Sequence, residues 1–527
     1  MKRIYIIFIV LLTLSVSCTK NFEDFNTDEK NPTVVDGEFL FSNAQKELVD
    51  QISSTNVNLN IWKLVSQYWT ETTYTDEANY DVVNRTIPDN IFDVYYRLVL
   101  KPLNESKTLI STRDLFAGET EAQRSNKLLI IDLMEVYTYH NLVNIFGDVP
   151  YTDALDVENI SPVYDDALTI YKDLITRINA DFTGLDASNG SFGSADLIYG
   201  GDVAAWKLFA NSLKLKIAIN LADVDFNYSK TNVEAAVTDG VFTSGADNAL
   251  FNYQGSTPNT NPLYEDLILS GRKDFVLTNT LVDKLNDLKD PRLNYYLQGT
   301  IDFKYLYTNP DGSKKDTTIT DVSRWLFYAD STVYKDVPFT IYADDSLNLP
   351  STYLGGDYGY SSAYSSFSHI HDNIQVASFP GILLTYSEIE FYIAEAAART
   401  MSVGQGAQEA YDNAVTASVL YWGGTASEAT DYLTGKGDYL LFGTWQEAIG
   451  TQAWISFYTR GLVAYNEYRR LDFPVMNEAP DAATGGPVPT RFTYPINEQT
   501  LNAVNYAAAA AAIGGDDLLT KLFWDIN

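Results

Sequence analysis

The chain has 527 residues, with 36 Lys and Arg against 69 Asp and Glu, a formal net charge of −33 at neutral pH. So acidic a surface repels nucleic acid and anionic lipid, and it holds neutral or cationic ligands more readily than anionic ones. With a single cysteine, Cys18, no intrachain disulfide can form, and with only three histidines neither an HExxH motif nor a three-histidine metal site is expected.

Lys2 and Arg3 precede an apolar run over 4–14. A membrane-spanning helix needs roughly 18 or more apolar residues, so this run suits the hydrophobic region of a secretory signal instead. Small residues then lead to Cys18. That order reads as a lipoprotein signal peptide over 1–17, cleaved before a lipidated Cys18, although Ser15 stands where leucine is usual. An ordinary signal peptide with an incidental cysteine is the alternative. Two or more acyl chains anchor stably where one does not. Residues 18–38 read as the lipidated tether, because 20–35 (KNFEDFNTDEKNPTVV) are polar and contain Asn-Pro.

Residues 39–527 read as one domain. Apolar periodicity predicts helices over 39–49 and 57–69. Residues 70–80 follow as a loop without period, rich in Thr, Tyr and Asp. Helices are predicted over 91–111 and 126–146. The second is apolar on nearly every side, hence central, and stops at Gly147 and Pro150. Ser161 as N-cap with Pro162 at the first helical position predicts a helix to 182. Further helices are predicted over 206–222 and 231–238. From about 246 to 380 helical period is lost except over 278–288. Residues 303–307 and 317–320 flank Pro310-Asp311-Gly312 as a hairpin. Residues 351–367 (STYLGGDYGYSSAYSSF) are a long Gly, Ser and Tyr loop, unusual inside a domain unless functional. Helices return from 386 to 397 and 411 to 418 around a Gly404–Gly406 turn, close to the tetratricopeptide unit of about 34 residues. Residues 452–470, 501–512 and 518–524 complete the helical set. The fold class is therefore mainly α: tetratricopeptide-like helical pairs over 39–240 and 381–527, a few short strands, and a loop-rich ligand-binding insertion at about 246–380.

No P-loop or GxGxxG occurs. His369 and His371 could share a strand face, but solvated or hydrogen-bonded loop histidines are the simpler reading. Glu388, Glu390 and Glu395 read as the solvated face of a helix. No cofactor is expected, with Asp223 and Asp225 kept as a candidate calcium pair. Tyrosine is the outlier, with 37 copies beside 26 Phe and 8 Trp. Its ring packs while its hydroxyl bonds, which suits either polyhydroxylated ligands or sealed helix contacts.

Five stretches resemble the SusD/RagB-like outer-membrane lipoproteins of Bacteroidetes: 137–150 (YTYHNLVNIFGDVP), 206–216 (WKLFANSLKLK), 384–397 (LTYSEIEFYIAEAA), 454–474 and 491–495 (RFTYP). Cys18 fits the same pattern. The resemblance implies a scaffold of four tetratricopeptide-like helical pairs and an outer-membrane, lipid-anchored, surface-facing position. It also implies a SusC-like TonB-dependent transporter as partner and capture of an oligosaccharide without catalysis. The shared motifs are scaffold motifs and carry over no ligand contact. The residues expected to meet a glycan come from the two aromatic loops: Trp69, Tyr74 and Tyr80 with Asp76, and Tyr353, Tyr358, Tyr360 and Tyr364 with Asp357. Aromatic rings stack on sugar C–H faces and rim polar groups bind hydroxyls. Peptide capture on the same scaffold and a glycoside hydrolase using paired carboxylates are the competing readings.

Overall fold

The computed structural model describes residues 35–299, 303–308, 314–319 and 353–526. Cys18 and its flanking segments lie outside the described residues. The chain is mainly helical, and its helices pack as successive pairs: Glu121–Phe146 with Ala167–Gly184, Val203–Ile219 with Phe226–Asp239, and Tyr386–Ala398 with Ala407–Tyr421. Gly37–Ser53 packs likewise on Lys101–Thr112, and Trp445–Ser456 on Gly461–Leu471. Capping sets several starts. Thr120 and Gln123 form a reciprocal capping box, Asp202 accepts from the Ala204 and Ala205 amides, and Thr278 accepts from Leu281. The helix Glu121–Phe146 is buried around its whole second half and ends where Gly147 turns to φ 87°.

The described residues contain five two-stranded antiparallel ladders. One is the hairpin Phe303–Thr308 with Lys314–Ile319, as expected.

Four expected helices are altered. Over 57–69 only one turn, Trp62–Val65, is helical, because Gln67 adopts φ 55° and Trp69–Glu71 becomes a strand. The Ser161-Pro162 start is displaced to Ala167, where Asp166 caps Thr169, while Tyr164–Asp165 pairs with Val149–Pro150. Residues 452–470 divide into two helices at Thr459, φ 72°. Gly461 opens the second helix against the Trp62 backbone, where an added Cβ would meet the Trp62 carbonyl carbon at 2.3 Å. Residues 518–524 form turns. The expected helix over 91–111 is present, but Val94–Leu100 widens into a π-helical stretch just before Pro102, whose missing N–H cannot complete an α-helical bond.

Tyrosine does much of the sealing. The hydroxyls of Tyr137, Tyr296, Tyr411 and Tyr465 donate to the carbonyls of Leu383, Ile455, Gly437 and Pro489 at 3.0, 2.9, 2.8 and 2.6 Å. Each ring is buried, so one residue supplies both apolar area and a partner for an otherwise orphaned carbonyl.

Glu388, Glu390 and Glu395 are buried, not solvated. Glu388 accepts from Lys216 at 2.7 Å, Glu395 from Arg399 at 2.8 Å and from Arg470, and Glu390 from Gln405 at 2.7 Å. A carboxylate every few residues looks like a wet helix face until the cations contributed by distant helices are known.

Candidate functional site

The two aromatic loops meet. Trp69–Glu71 pairs antiparallel with Phe275–Leu277, placing Trp69 opposite Leu277 and Glu71 opposite Phe275. The 353–368 segment lies on the far side of this ladder: the Gly356 amide donates to Leu277 O and its carbonyl accepts from Asn279 N, both at 2.7 Å. The approach needs glycine, since an added Cβ on Gly355 would sit 2.2 Å from Thr278 O and one on Gly356 2.6 Å from Ser362 Oγ. Ser361 Oγ then donates to Thr72 O at 2.7 Å and Ser362 N to Glu71 O at 3.1 Å.

A third segment locks the pair. Asn79 donates Nδ2 to Gly359 O at 2.9 Å, and its Oδ1 accepts from Asp481 N at 2.8 Å. Its carbonyl accepts from Ala483 N at 2.8 Å. Residues from three distant parts of the chain thus form one hydrogen-bonded surface.

The expected site residues divide by what they touch. Trp69, Tyr80 and Tyr358 are buried. Trp69 Nε1 donates to Tyr458 Oη at 3.0 Å and its ring tilts on Phe275, while the Tyr80 and Tyr358 rings lie 6.3 Å apart beneath the loops. These three hold the surface up and offer no ring face to a ligand, which corrects the expectation for each. Tyr353 is half-buried against the core. Asp357 is half-buried and accepts from Asn279 Nδ2 at 3.1 Å. Tyr74 and Tyr360 are 74 % and 58 % exposed, and Asp76 is exposed. Tyr364 is half-buried, with its ring stacked on His369 at 3.8 Å.

Lys273 was not foreseen from the sequence. Thr72 donates N and Oγ1 to Asp274 O and Lys273 O, each at 2.8 Å, which brings Lys273 Nζ to 4.9 Å from the Tyr364 ring. No local signal marks a lysine whose partner ring, on Tyr364, is 91 positions away in a different loop.

Beneath the loops sits a buried acid pair. Glu71 Oε2 accepts from Ala78 N at 3.0 Å, and Glu77 pairs with Arg85. Burial, and after it the Glu77 carboxyl alongside, pushes Glu71 up to about 9. Glu71 therefore keeps its proton at neutral pH.

His369 lies on the two-residue strand His369–Ile370, where its Nε2 is 2.7 Å from Tyr364 O, and His371 follows that strand, its Nδ1 accepting from Asn373 N at 3.1 Å. Asp223 and Asp225 hold cations of the protein itself, Arg399 at 2.6 Å and Lys172 at 2.9 Å. Among the described residues no cluster of three metal-ligating side chains occurs, and no helix is long and apolar enough to cross a membrane.

A family model for SusD-like proteins, described as starch-binding and associating with the outer membrane, matches residues 29–323 and 332–495. The fold is similar to that of a chitin-binding protein, with TM-score 0.74 and 25 % identity over 93 % of this chain and all of that one. It is also similar to a chitin-binding SusD homologue from Flavobacterium johnsoniae, with TM-score 0.70 and 20 % identity over 93 % of this chain and 98 % of that one. A SusD homologue from Bacteroides thetaiotaomicron gives TM-score 0.70 and 19 % identity over 94 % of this chain and all of that one. No curated protein matches the sequence.

Proposed function

The chain belongs to the SusD-like family of glycan-binding proteins associated with the outer membrane, and from that premise we propose that it captures oligosaccharides at the cell surface and passes them to a SusC-like TonB-dependent transporter. It is held to the membrane by lipid on Cys18 and performs no chemistry of its own. The observation that carries the reading is the pair of exposed tyrosines, Tyr74 and Tyr360, raised on two loops that are hydrogen-bonded into one surface.

The chemistry suits a neutral glycan. A solvent-facing tyrosine offers a flat apolar face for sugar C–H groups and a hydroxyl for the rim, at little entropic cost because it has two side-chain torsions. Asp76, and Lys273 beside Tyr364, supply an acceptor and a donor for hydroxyls around those rings. The buried Trp69, Tyr80 and Tyr358 keep the loops from collapsing.

Chito-oligosaccharides are the first ligands to try, since two similar structures are chitin-binding, with malto-oligosaccharides and a peptide pool beside them. Tyr74→Ala with Tyr360→Ala should weaken binding of the cognate glycan by about 2–3 kcal/mol, roughly 30- to 100-fold, at unchanged melting temperature. Equal affinity of the double variant, measured by calorimetry, would refute the surface. Retention of peptides and of no glycan would refute the ligand class.

A further inference from the structure

The helix Ala503–Ala512 packs on the strand Tyr164–Asp165 and is tied to the loop before that strand. Asn502 Nδ2 donates to Pro162 O at 2.8 Å, and Asn505 Nδ2 donates to Ser161 O at 2.9 Å. Ala509 is buried and Tyr506 half-buried, its hydroxyl donating to Asp516 at 3.1 Å. The opposite side of the helix meets solvent. Val504, Ala507, Ala508, Ala511 and Ala512 are all exposed, at the spacing of one helix face. A surface helix normally turns such a face inward and a polar one outward.

The apolar surface continues off the helix. Leu501 precedes it, and Val157, Ile160 and Val163 stand on the loop that the two asparagines hold. Their exposure runs from 44 % at Val163 to 89 % at Ile160, with Val504 at 83 %. These five aliphatic residues open on the order of 600 Å², the upper end of what the largest patch on a monomer shows. With the alanines the face reaches about 800 Å², the share that each partner buries in a stable interface of standard size.

Charge and shape indicate what covers it. Residues 499–515 carry no charged side chain, in a chain of net charge −33. Two copies of so acidic a chain repel each other over most of their surface. Here they can meet without opposing like charges, and a basic partner finds no acid at the centre of the face. Acids stand at its rim: Asp156 and Glu158 flank Val157, and Asp517 follows the helix, while Asp516 is paired with Arg491 at 2.6 Å. The face is also bulky at one end and flat at the other. An antiparallel pairing of two such helices about Ala508 lays Val504 of one copy against Ala512 of the other. Ile160, held beside Asn505, then falls near Ala511. Alanine at the crossing lets the helix axes approach closely. A surface that fits itself in this way makes an isologous contact, which closes at two copies. We infer that this face joins two copies of the chain about a two-fold axis near Ala508. None of its residues lies on the loops that carry Tyr74 and Tyr360, so the inference is independent of what those loops bind.

The test is analytical ultracentrifugation of the full secreted chain carrying Cys18→Ala, which removes both the lipid and any disulfide between copies. A monomer–dimer equilibrium with a Kd of about 1–100 μM is expected, without larger species. Raising NaCl from about 50 mM to about 500 mM should tighten it about threefold, because the acids at the rims are then screened. A residue on the axis meets its own copy, so Ala508→Glu and Ala508→Arg should each weaken the dimer about tenfold or more. Val504→Asp should do the same, and all three positions are exposed enough that the circular dichroism of the monomer stays unchanged. The inference is overturned by a chain that remains monomeric at about 200 μM, by open-ended association, or by a dimer that folded Ala508→Glu and Val504→Asp leave intact. A monomer that instead sediments with phosphatidylcholine vesicles, and loses them on Ile160→Asp, would give the face to a lipid surface and equally overturn it.

Discussion

Replacing Glu71 with glutamine tests whether the loop surface rests on a protonated acid. Glu71 ends the strand that carries the first loop, and its side chain accepts from Ala78 N beside Glu77. Glutamine keeps an acceptor for Ala78 and presents an N–H to Glu77, so shape and bonds survive while the titration is removed. The folded protein holds Glu71 protonated up to about 9, whereas the unfolded chain releases that proton near the ordinary value of 4.5. Stability therefore falls as pH rises across this window and levels off above it. At pH 7.5 the solution is about 3 units above that ordinary value of 4.5, the span over which only the unfolded chain releases the proton. At about 1.4 kcal/mol per unit the ceiling is about 4 kcal/mol, and partial solvent contact together with sharing of the proton with Glu77 reduces it to about 2 kcal/mol. Urea unfolding between pH 5 and pH 9 reads this directly. Glu71→Gln should match the native chain near pH 5 and exceed it by about 2 kcal/mol at pH 8. Parallel pH profiles for the two proteins would refute the reasoning, because a constant difference contains no proton release.

The remaining predictions address packing, charge and position. Gly355→Ala puts a Cβ against the Thr278 carbonyl and should free the 353–368 loop, read as new proteolytic cleavage there and loss of glycan binding, with the helical scaffold intact by circular dichroism. Glu388→Gln leaves Lys216 and Arg460 buried without a counter-charge and should cost about 3–5 kcal/mol in urea unfolding. Burial opposes the charge on Glu388, but Arg460 and then Lys216 outweigh it and hold the carboxyl below its ordinary 4.5. Its contribution is present at neutral pH and lost as pH falls through the lowered folded value, so the cost of Glu388→Gln should shrink on acidification. Cys18→Ala should move the protein from the membrane to the soluble fraction while glycan binding survives, and membrane retention on fractionation would count against the lipid anchor.

The scaffold was legible where the signal is local. Gly147 ends its helix as expected, and the helix expected from 278 begins there, with Thr278 capping the Leu281 amide. It was illegible where a distant contact decides. Gln67 and Thr459 take positive φ although neither is a glycine, and the Ser161-Pro162 signal yields to Asp166 because 164–165 is claimed by a strand partner. The site divides in the same way. Both aromatic loops stand out by composition, and they do meet. Which rings face outward could not be read, because a segment without period has no inner and outer side until its neighbours are in place. Trp69 looked like a platform and is a pillar, since Tyr458, far along the chain, takes its indole N–H.

The Asn79 junction has a consequence for biogenesis. Its side chain binds Gly359, 280 positions away, and accepts from Asp481, 402 positions away. Closing loops of that length carries a large entropic cost that only the finished scaffold offsets. A chain emerging from its amino terminus can build the early helix pairs, but it cannot present Tyr74 and Tyr360 together until nearly all of its residues have been delivered. On the function proposed for that surface, unfinished or clipped molecules should therefore fail to take up ligand and should not compete with complete ones for it.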